Sequence, residues 1–431
     1  MINERYSPAA LPALVKDDRV HRDLFVDPQV FDLEMANIYH RTWVYVGHES
    51  EIRNPGDFKT TTIGTEPVIL SRDTDGDLHV MVNACRHRGV TLCEEAGGNQ
   101  KFFVCAYHGW VFDSAGSLVN VPEVEGQPPE FSPAEFGLTQ AAKVDSFRGF
   151  IFASFNEDVP PLVDHLGEAA KFIAMFADLS PSGSVDVSSG VTRYQYEGNW
   201  KQQVENSMDG YHAAITHHSF FDEVLQARIG RSMASIVSGS SPAKSVALGN
   251  GHSLIDFRDF DRKAILGADQ PKSEVDWHNG VRANLEDHDY AEEVIRVNGG
   301  DGFNLLVYPN LVLINNQIRV IQPVANNHTE VLAYPALLEQ VDEEINVARV
   351  RAHEDFYGPA SFGAPDDIEM FKRQWQGLSR SPSMQWLLYN RGLHREERGE
   401  GERYSSQVTD ETAHRGIWRR WVELMTAEVQ T

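Results

Sequence analysis

From residue 44 to about residue 155 the apolar positions fall in short β-type runs. KTTTIGTEPVILSRD (59–73), LHVMVNAC (78–85), KFFVCAY (101–107), GWVFD (109–113) and GFIFASF (149–155) are separated by turn signals at Asn54-Pro55-Gly56, Asp75-Gly76, Gly97-Gly98 and Ala115-Gly116. Short strands at this spacing predict a small antiparallel domain of about 110 residues. Pro160-Pro161 ends it, since proline cannot continue a ladder. Ahead of it, the first forty or so residues read as polar and helical, with Asp27-Pro28 opening a helix. Beyond Gly190 the pattern mixes the two periods. VTRYQYEG (191–198) reads as a strand, 200–216 as a helix, and the Gly- and Ser-rich stretch 230–255 as a loop. LLVYPNLVLINNQIRVIQPV (305–324) reads as two strands and VLAYPALL (331–338) as another, while 339–358 and 368–378 are amphipathic helices. The fold class is therefore α+β, an antiparallel all-β module inserted into a larger α+β domain. Its expected parts are a helical segment over 1–42 packing on the larger domain, the β module over 43–158, and the larger domain over 159–431.

Composition narrows the class. With 431 residues, two or three domains are expected, and 41% hydrophobic with 23% charged residues excludes a disordered, collagenous or coiled-coil chain. A formal charge of −25 repels phosphate backbones, so nucleic acid is not an expected partner. No apolar run approaches a membrane span and the N-terminal stretch lacks the apolar core of a secretory signal, so a cytoplasmic location is the expectation. Three cysteines, Cys85, Cys93 and Cys105, do not make a disulfide framework, whereas several of the 17 histidines stand at chemically suggestive spacings.

CRHRG (85–89) and CAYHGW (105–110) place Cys-x-His and Cys-x-x-His at the ends of two β-type runs, seventeen residues apart. Two thiolates and two imidazoles suit tetrahedral zinc. A zinc finger, however, pairs Cys with Cys on one loop and His with His on a helix; here each loop supplies one of each. That alternation suits a two-iron cluster with thiolates on one iron and imidazoles on the other. Neutral imidazoles reduce the cluster's negative charge and raise its potential, from roughly −400 mV to about −150 to +300 mV. Gly89 and Gly109 fit loops that pass close to such a cluster, and Tyr107 and Trp110 are candidates to shield it from water. Cys93 has no partner spacing and reads as a core residue.

A second constellation lies in WKQQVENSMDGYHAAITHHSFF (200–221). Two histidines and a carboxylate on one face of a metal form the triad of mononuclear non-haem iron oxygenases. His212 and His217 are five apart, about 140° on a straight helix, so an irregularity is expected within 213–216. Asp209, three residues before His212, is placed to hold its imidazole. GPASFGAPDDIEMF (358–371) offers the remaining carboxylate: Asp366, with Glu369 three residues on, reads as an N-cap, which leaves Asp367 free to face a metal.

With both constellations in place, the sequence resembles the catalytic α subunit of the Rieske non-haem iron aromatic-ring-hydroxylating oxygenases, nearest to benzoate-, cumate- and salicylate-type members. The resemblance runs over nearly the whole chain, through GHESEIRNPGDF (47–58), both cluster loops, VENSMDGYH with its trailing histidine, GPASFGAPDD and TDETAHRGIWRRW (409–421). It implies a helix-grip catalytic domain and a [2Fe-2S] Rieske cluster on Cys85, His87, Cys105 and His108. It also implies a mononuclear Fe(II) on His212, His217 and Asp367. Asp209 then bridges to the cluster of a neighbouring subunit in a trimer, through that neighbour's His108, and Asn206 belongs to the catalytic motif. The implied reaction is cis-dihydroxylation of a substituted benzene or aromatic acid; the alternative on the same scaffold is a monooxygenase that hydroxylates or dealkylates.

No glycine-rich dinucleotide fingerprint follows a strand, so electrons are expected from a separate NAD(P)H-dependent reductase, with or without a ferredoxin and a small β subunit. Ser207, Met208, Ala213, Phe221, Tyr357 and Phe362 lie near the ligands in sequence and are pocket candidates. In LVLINNQIR (311–319), alternation puts Asn315, Gln317 and Arg319 on one face and Val312, Ile314 and Ile318 on the other. The polar face is read as solvated; turned into the cavity instead, it would read a carboxylate, amino or hydroxyl substituent.

Overall fold

The structure is a computed structural model that describes residues 6–229, 234–259, 271–297, 302–314, 316–358 and 360–427. Asn315 lies outside the described residues. The chain divides into two compact units, Tyr39–Leu162 and Met1–Ile38 with Val163–Thr431.

The smaller unit is all β. Strands β1 (Val44–His48), β2 (Asp57–Ile63), β3 (Glu66–Arg72), β4 (Leu78–Val82), β5 (Gly97–Asn99), β6 (Phe102–Val104), β7 (Val111–Asp113), β8 (Leu118–Asn120), β9 (Lys143–Phe147) and β10 (Phe150–Ser154) build three antiparallel sheets, in the orders β4-β3-β2-β5, β9-β10-β1 and β8-β7-β6. The β2–β3 hairpin pairs Ile63 with Glu66 and turns through Gly64 at φ +60°, a left-handed conformation that glycine adopts without strain. Its core joins Phe58, Ile69, Met81, Phe103, Trp110 and Phe112 to all three cysteines, so the two Cys/His loops grow out of the hydrophobic centre.

The larger unit is α+β, as the sequence pattern predicts. Its sheet is built from β11 (Thr192–Glu197), β12 (Lys244–Gly249), β13 (His252–Asp256), β14 (Phe303–Val307), β15 (Leu311–Ile314), β16 (Gln317–Ala325), β17 (His328–Pro335), β18 (Glu397–Arg398) and β19 (Tyr404–Gln407). These pair antiparallel in the order β11-β17-β16-β15-β14-β13-β12-β19-β18. Its helices include α1 (Pro28–Glu34), α2 (Ala169–Asp178), α3 (Trp200–Ser207), α4 (Ala213–Thr216), α5 (Lys272–Asn284), α6 (His288–Arg296), α7 (Glu343–Tyr357), α8 (Ala364–Arg380) and α9 (Thr412–Thr426). Among the described residues no helix is long and apolar enough to cross a membrane.

Three sequence expectations need correction. The described part of 230–255 contains strand β12 and most of β13 rather than a loop, because VALG and HSLI are buried against their neighbours. The 305–324 run makes three strands, with β15 pairing antiparallel to β16. That hairpin pairs Val312 with Arg319 and Ile314 with Gln317, which places these four on one face. The face is not solvated: Gln317 is 0% and Arg319 4% exposed.

Glu34, 0% exposed at the end of α1, ties distant parts of the larger unit together. Its Oε2 accepts from Lys201 Nζ at 2.6 Å and Trp200 Nε1 at 2.9 Å, and its Oε1 from Trp421 Nε1 at 2.7 Å. Burial pushes the Lys201 ammonium pKa down, and Glu34 holds part of that fall back. Glu34→Ala removes the partner of a buried cation and of two buried indoles, and should lower stability by about 3–5 kcal/mol. Urea unfolding followed by tryptophan fluorescence reads this; an unchanged midpoint would show that the hub carries no such load.

Candidate metal centres

In the smaller unit the two cluster loops are copies of one turn. The Cys85 carbonyl accepts from Gly89 N–H at 2.8 Å and the Cys105 carbonyl from Gly109 N–H at 2.9 Å. Returning bonds run from Cys85 N–H to the Val90 carbonyl and from Cys105 N–H to the Trp110 carbonyl, both at 2.8 Å. Gly89 and Gly109 close the turns at φ +71° and +70°. The shared spacing is therefore Cys to Gly, four residues in each loop, and the histidine shifts by one within it. The turns bring the rings of His87 and His108 to 4.6 Å between centroids. Burial pushes the Cys85 thiol pKa up; backbone N–H groups of His87 and Arg88 work against that, and the adjacent Cys105 thiol adds to it. His87 Nδ1 is buried without a hydrogen-bond partner. Paired buried thiols beside an uncommitted imidazole nitrogen fit a metal cluster better than a packed core.

Trp110 stacks on His87 at 4.9 Å with rings 6° apart and is buried, as a shield should be. Tyr107 lies 3.8 Å from His108 but is 59% exposed, so it covers only one side. Cys93 is a core residue whose thiol burial pushes up to about 11. Asn83 pins its backbone from both sides, with Nδ2 donating to the Cys93 carbonyl at 2.7 Å and Oδ1 accepting from Cys93 N–H at 2.9 Å.

In the larger unit a capping box opens α3, where the Asn199 side chain accepts from Lys201 N–H and Gln202 Oε1 accepts from Asn199 N–H at 2.8 Å. The helix stops at Ser207 and resumes for one turn at Ala213. His212 is the N-cap and His217 the C-cap of that turn. The expected irregularity thus lies at 208–212 and at His217, not within Ala213–Thr216. Nearby, α8 begins two residues before Asp366, with Gly363 as its N-cap, so Asp366 is not the cap. Pro365 in the first turn forces that earlier start.

His212, His217 and Asp367 converge, each offering a ligand atom within 4.8 Å of the others. Asp367 Oδ1 lies 3.5 Å from His212 Nε2 and 3.2 Å from His217 Nε2. Both Nδ1 atoms point away, towards Asp209 Oδ2 at 3.5 Å and Asp366 Oδ2 at 3.6 Å respectively. Neither Nδ1 is hydrogen-bonded at these distances, but a carboxylate behind each imidazole favours the tautomer that turns the Nε2 lone pair to the point where the three side chains meet. Sequence reasoning found the first of these carboxylates and missed the second. Asn206 Nδ2 donates to Asp367 Oδ1 at 3.0 Å and lies 3.1 Å from His212 Nε2, inside the same convergence. Burial pushes the Asp367 carboxyl up, but His217, His212 and Arg319 outweigh it and hold the group below its usual range. Asp209 is likewise pushed up by burial and brought well below the usual range, chiefly by His212. Two imidazole nitrogens and a carboxylate oxygen on one side of a point fit a divalent iron with positions left open.

The pocket candidates divide. A cleft of about 310 Å³ is lined by Asn206, Asp209, His212, Asp367, Glu411 and His414 among others, and of the pocket candidates none lines it. Ala213 and Phe221 pack against Ile236 and Val237, Met208 is fully buried, and Phe362 is 41% exposed. Ser207 and Tyr357 meet Arg319, with Nη1 to Oγ at 3.2 Å and the guanidinium 5.4 Å from the Tyr357 ring. Phe220 and Phe356, absent from the sequence reading, form an aromatic wall: Phe356 is 5.1 Å from the His217 ring and 4.8 Å from Phe220. Its signal is the FF and FY pairs beside the ligands.

A paired Cys/His cluster unit with a two-histidine, one-carboxylate unit defines an oxygenase component that stores electrons at one centre and uses dioxygen at the other. Residues 42–140 match the Rieske [2Fe-2S] domain, and 187–427 match the ring-hydroxylating α subunit catalytic domain. The chain is 34% identical to the toluate 1,2-dioxygenase α subunit of Pseudomonas putida, with 86% of this chain and 82% of that one covered. It is 36% identical to the anthranilate 1,2-dioxygenase large subunit of Acinetobacter baylyi, with 87% and 80% covered. A naphthalene 1,2-dioxygenase structure with indole bound in the active site superposes with a TM-score of 0.81 at 27% identity, over 99% and 95% of the chains. A quaternary ammonium Rieske monooxygenase, at 17% identity and a TM-score of 0.68, shares the fold. The chain belongs to the α subunits of the ring-hydroxylating dioxygenases, and carries a [2Fe-2S] cluster and a mononuclear iron.

Proposed function

We propose that the chain is the terminal oxygenase subunit that adds both atoms of dioxygen to adjacent ring carbons of a benzoate-like aromatic acid. The convergence of His212, His217 and Asp367 carries the chemistry, and the similarity to toluate, anthranilate and 2-halobenzoate dioxygenases supports the substrate class. In this reading Cys85 and Cys105 hold one iron of the cluster and His87 and His108 the other, while His212, His217 and Asp367 hold the mononuclear iron. The cluster supplies single electrons and the mononuclear iron supplies dioxygen activation. The balance is arene plus dioxygen plus two electrons and two protons, giving a cis-dihydrodiol. Electrons come from NAD(P)H through a separate reductase, with or without a ferredoxin. Asp209 orients His212 and faces His108 of a neighbouring copy in a trimer, which a small β subunit completes in an α3β3 assembly. Residues 43–158 form the cluster domain, and 1–42 pack on the catalytic domain over 159–431.

With benzoate, a reductase, NADH and ¹⁸O-labelled dioxygen, the expected product is a cis-dihydrodiol with both oxygens labelled. A product carrying one label, the other oxygen going to water, would replace dioxygenation with monooxygenation.

A further inference from the structure

Among the described residues four lysines and arginines are buried: Lys59, Lys201, Arg319 and Arg415. Three of them sit on carboxylates. Lys59 Nζ is 2.7 Å from Glu51, Lys201 Nζ 2.6 Å from Glu34, and Arg415 Nε 2.7 Å from Glu396. Among the described residues Arg319 has none within ion-pair distance. Its one hydrogen bond runs from Nη1 to Ser207 Oγ at 3.2 Å, and Nε is buried without a partner. A charge taken out of water without a counter-ion is among the costliest arrangements in a fold, and such a group persists where something else completes it.

Its surroundings say what would complete it. Gln317 shares the Arg319 face of β16, two residues away, and both its side-chain oxygen and nitrogen are buried without partners. The His353 ring, on α7 and 0% exposed, has both nitrogens unpartnered. Burial pushes its pKa down to about 4, with Arg319 adding to the fall, so it is neutral beside the cation. The guanidinium lies over the Tyr357 ring, Tyr357 is 4.8 Å from Phe356, and Phe356 is 5.1 Å from the metal-site His217. A run of rings therefore leads from the iron ligands to a buried planar cation. On the other side, Ser207 follows Asn206, which bonds Asp367. Asp367 feels the Arg319 charge, but it lies beyond ion-pair distance and its Oδ1 faces His212, His217 and Asn206, so it leaves the guanidinium without a bonded anion.

We propose that Arg319 reads the carboxylate of an aromatic acid substrate, with Gln317 available to a second polar substituent, so that this chain selects acids over neutral arenes. This deepens the benzoate-type reading and rests on it. A flat guanidinium edge accepts a carboxylate through two parallel hydrogen bonds, while the apolar ring lies along Phe356 and Tyr357. Anthranilate-like and salicylate-like acids carry the additional donor that Gln317 Oε1 would accept.

The test is equilibrium binding of benzoate and its neutral isostere benzamide to the holoenzyme by calorimetry, with iron content and cluster absorbance as the folding check. Arg319→Met, close in volume and without charge, should weaken benzoate by about 10–150-fold, the loss of a charge-assisted hydrogen-bonded pair, and change benzamide by less than about threefold. Arg319→Lys keeps the charge without the fork and should keep a reduced preference for benzoate. Equal losses for both ligands in Arg319→Met, or a wild-type enzyme that binds benzamide as tightly as benzoate, would overturn the assignment. Wild-type dihydroxylation of toluene without benzoate binding would overturn it too and leave the dioxygenase standing. Absence of any arene oxidation, with benzoate still bound through Arg319, would instead remove the oxygenase reading alone.

Discussion

His217→Ala should strip the mononuclear iron and leave the cluster intact. The imidazole is 2% exposed, and its Nε2 stands 3.2 Å from Asp367 Oδ1. It belongs to the one group of three ligand atoms found among the described residues. With it gone, His212 and Asp367 offer two donors, too few to hold iron against water at micromolar metal. Iron should fall from about three to about two per chain while acid-labile sulfide stays at about two, and the Rieske signal of the reduced protein should be unchanged. Ring oxidation should fall by at least about a thousandfold, since without the metal there is no site for dioxygen. Retention of three irons with turnover would move the mononuclear centre elsewhere. The deletion also leaves the Phe356 ring without its 5.1 Å neighbour, so a thermal shift should be recorded beside the metal assay.

Asp209→Asn should have the opposite profile, with both metals kept and turnover lost. Asp209 Oδ1 accepts from Tyr211 N–H at 2.6 Å and His212 N–H at 3.3 Å, and an amide oxygen keeps both bonds. What the substitution removes is charge at Oδ2, the oxygen 3.5 Å from His212 Nδ1. Carboxylates in this position orient and polarise a ligating imidazole, and their loss costs about 10–100-fold by that effect alone. If Asp209 also lies on the path between centres, the loss in coupled turnover should exceed a hundredfold. In a single-turnover experiment the reductase should still reduce the cluster, and reoxidation by dioxygen with substrate present should slow. Full coupled activity would sink both roles.

The cluster loops were legible because their chemistry and their local turns use the same residues. The Cys–Gly spacing that closes each turn also sets the thiol, and nothing remote is needed. For the second constellation the sequence named the three side chains that converge, and told less about their geometry. Five-residue spacing showed that one straight helix cannot carry both histidines, but the break sits before His212. Within the break the chain makes a close approach that requires glycine: a Cβ on Gly210 would lie 2.5 Å from the Val408 carbonyl, and no local pattern announces a neighbour nearly two hundred residues away. Asp366 imitated a capping box, and Pro365, the competing signal, was the stronger one. In the sheet, alternation assigned faces correctly within each strand and failed between β15 and β16, whose antiparallel pairing puts Val312 on one face with Arg319. Burial of that face could not be read locally either, since Gln317 and Arg319 look like solvent-facing residues until α3, through Ser207, and α7, through Tyr357, come over Arg319.

The Glu34 hub also sets an order of events at the ribosome. The unit Tyr39–Leu162 is continuous in sequence and can fold as soon as it has cleared the exit tunnel. The other unit cannot close then, because Glu34 leaves the tunnel before it while Trp200, Lys201 and Trp421 are still to come. At about 5–20 residues per second the wait from Leu162 to Trp421 is roughly a quarter of a minute to most of one. For that interval a carboxylate destined for a dry interior remains in water, where an ionised group helps keep the waiting segment soluble.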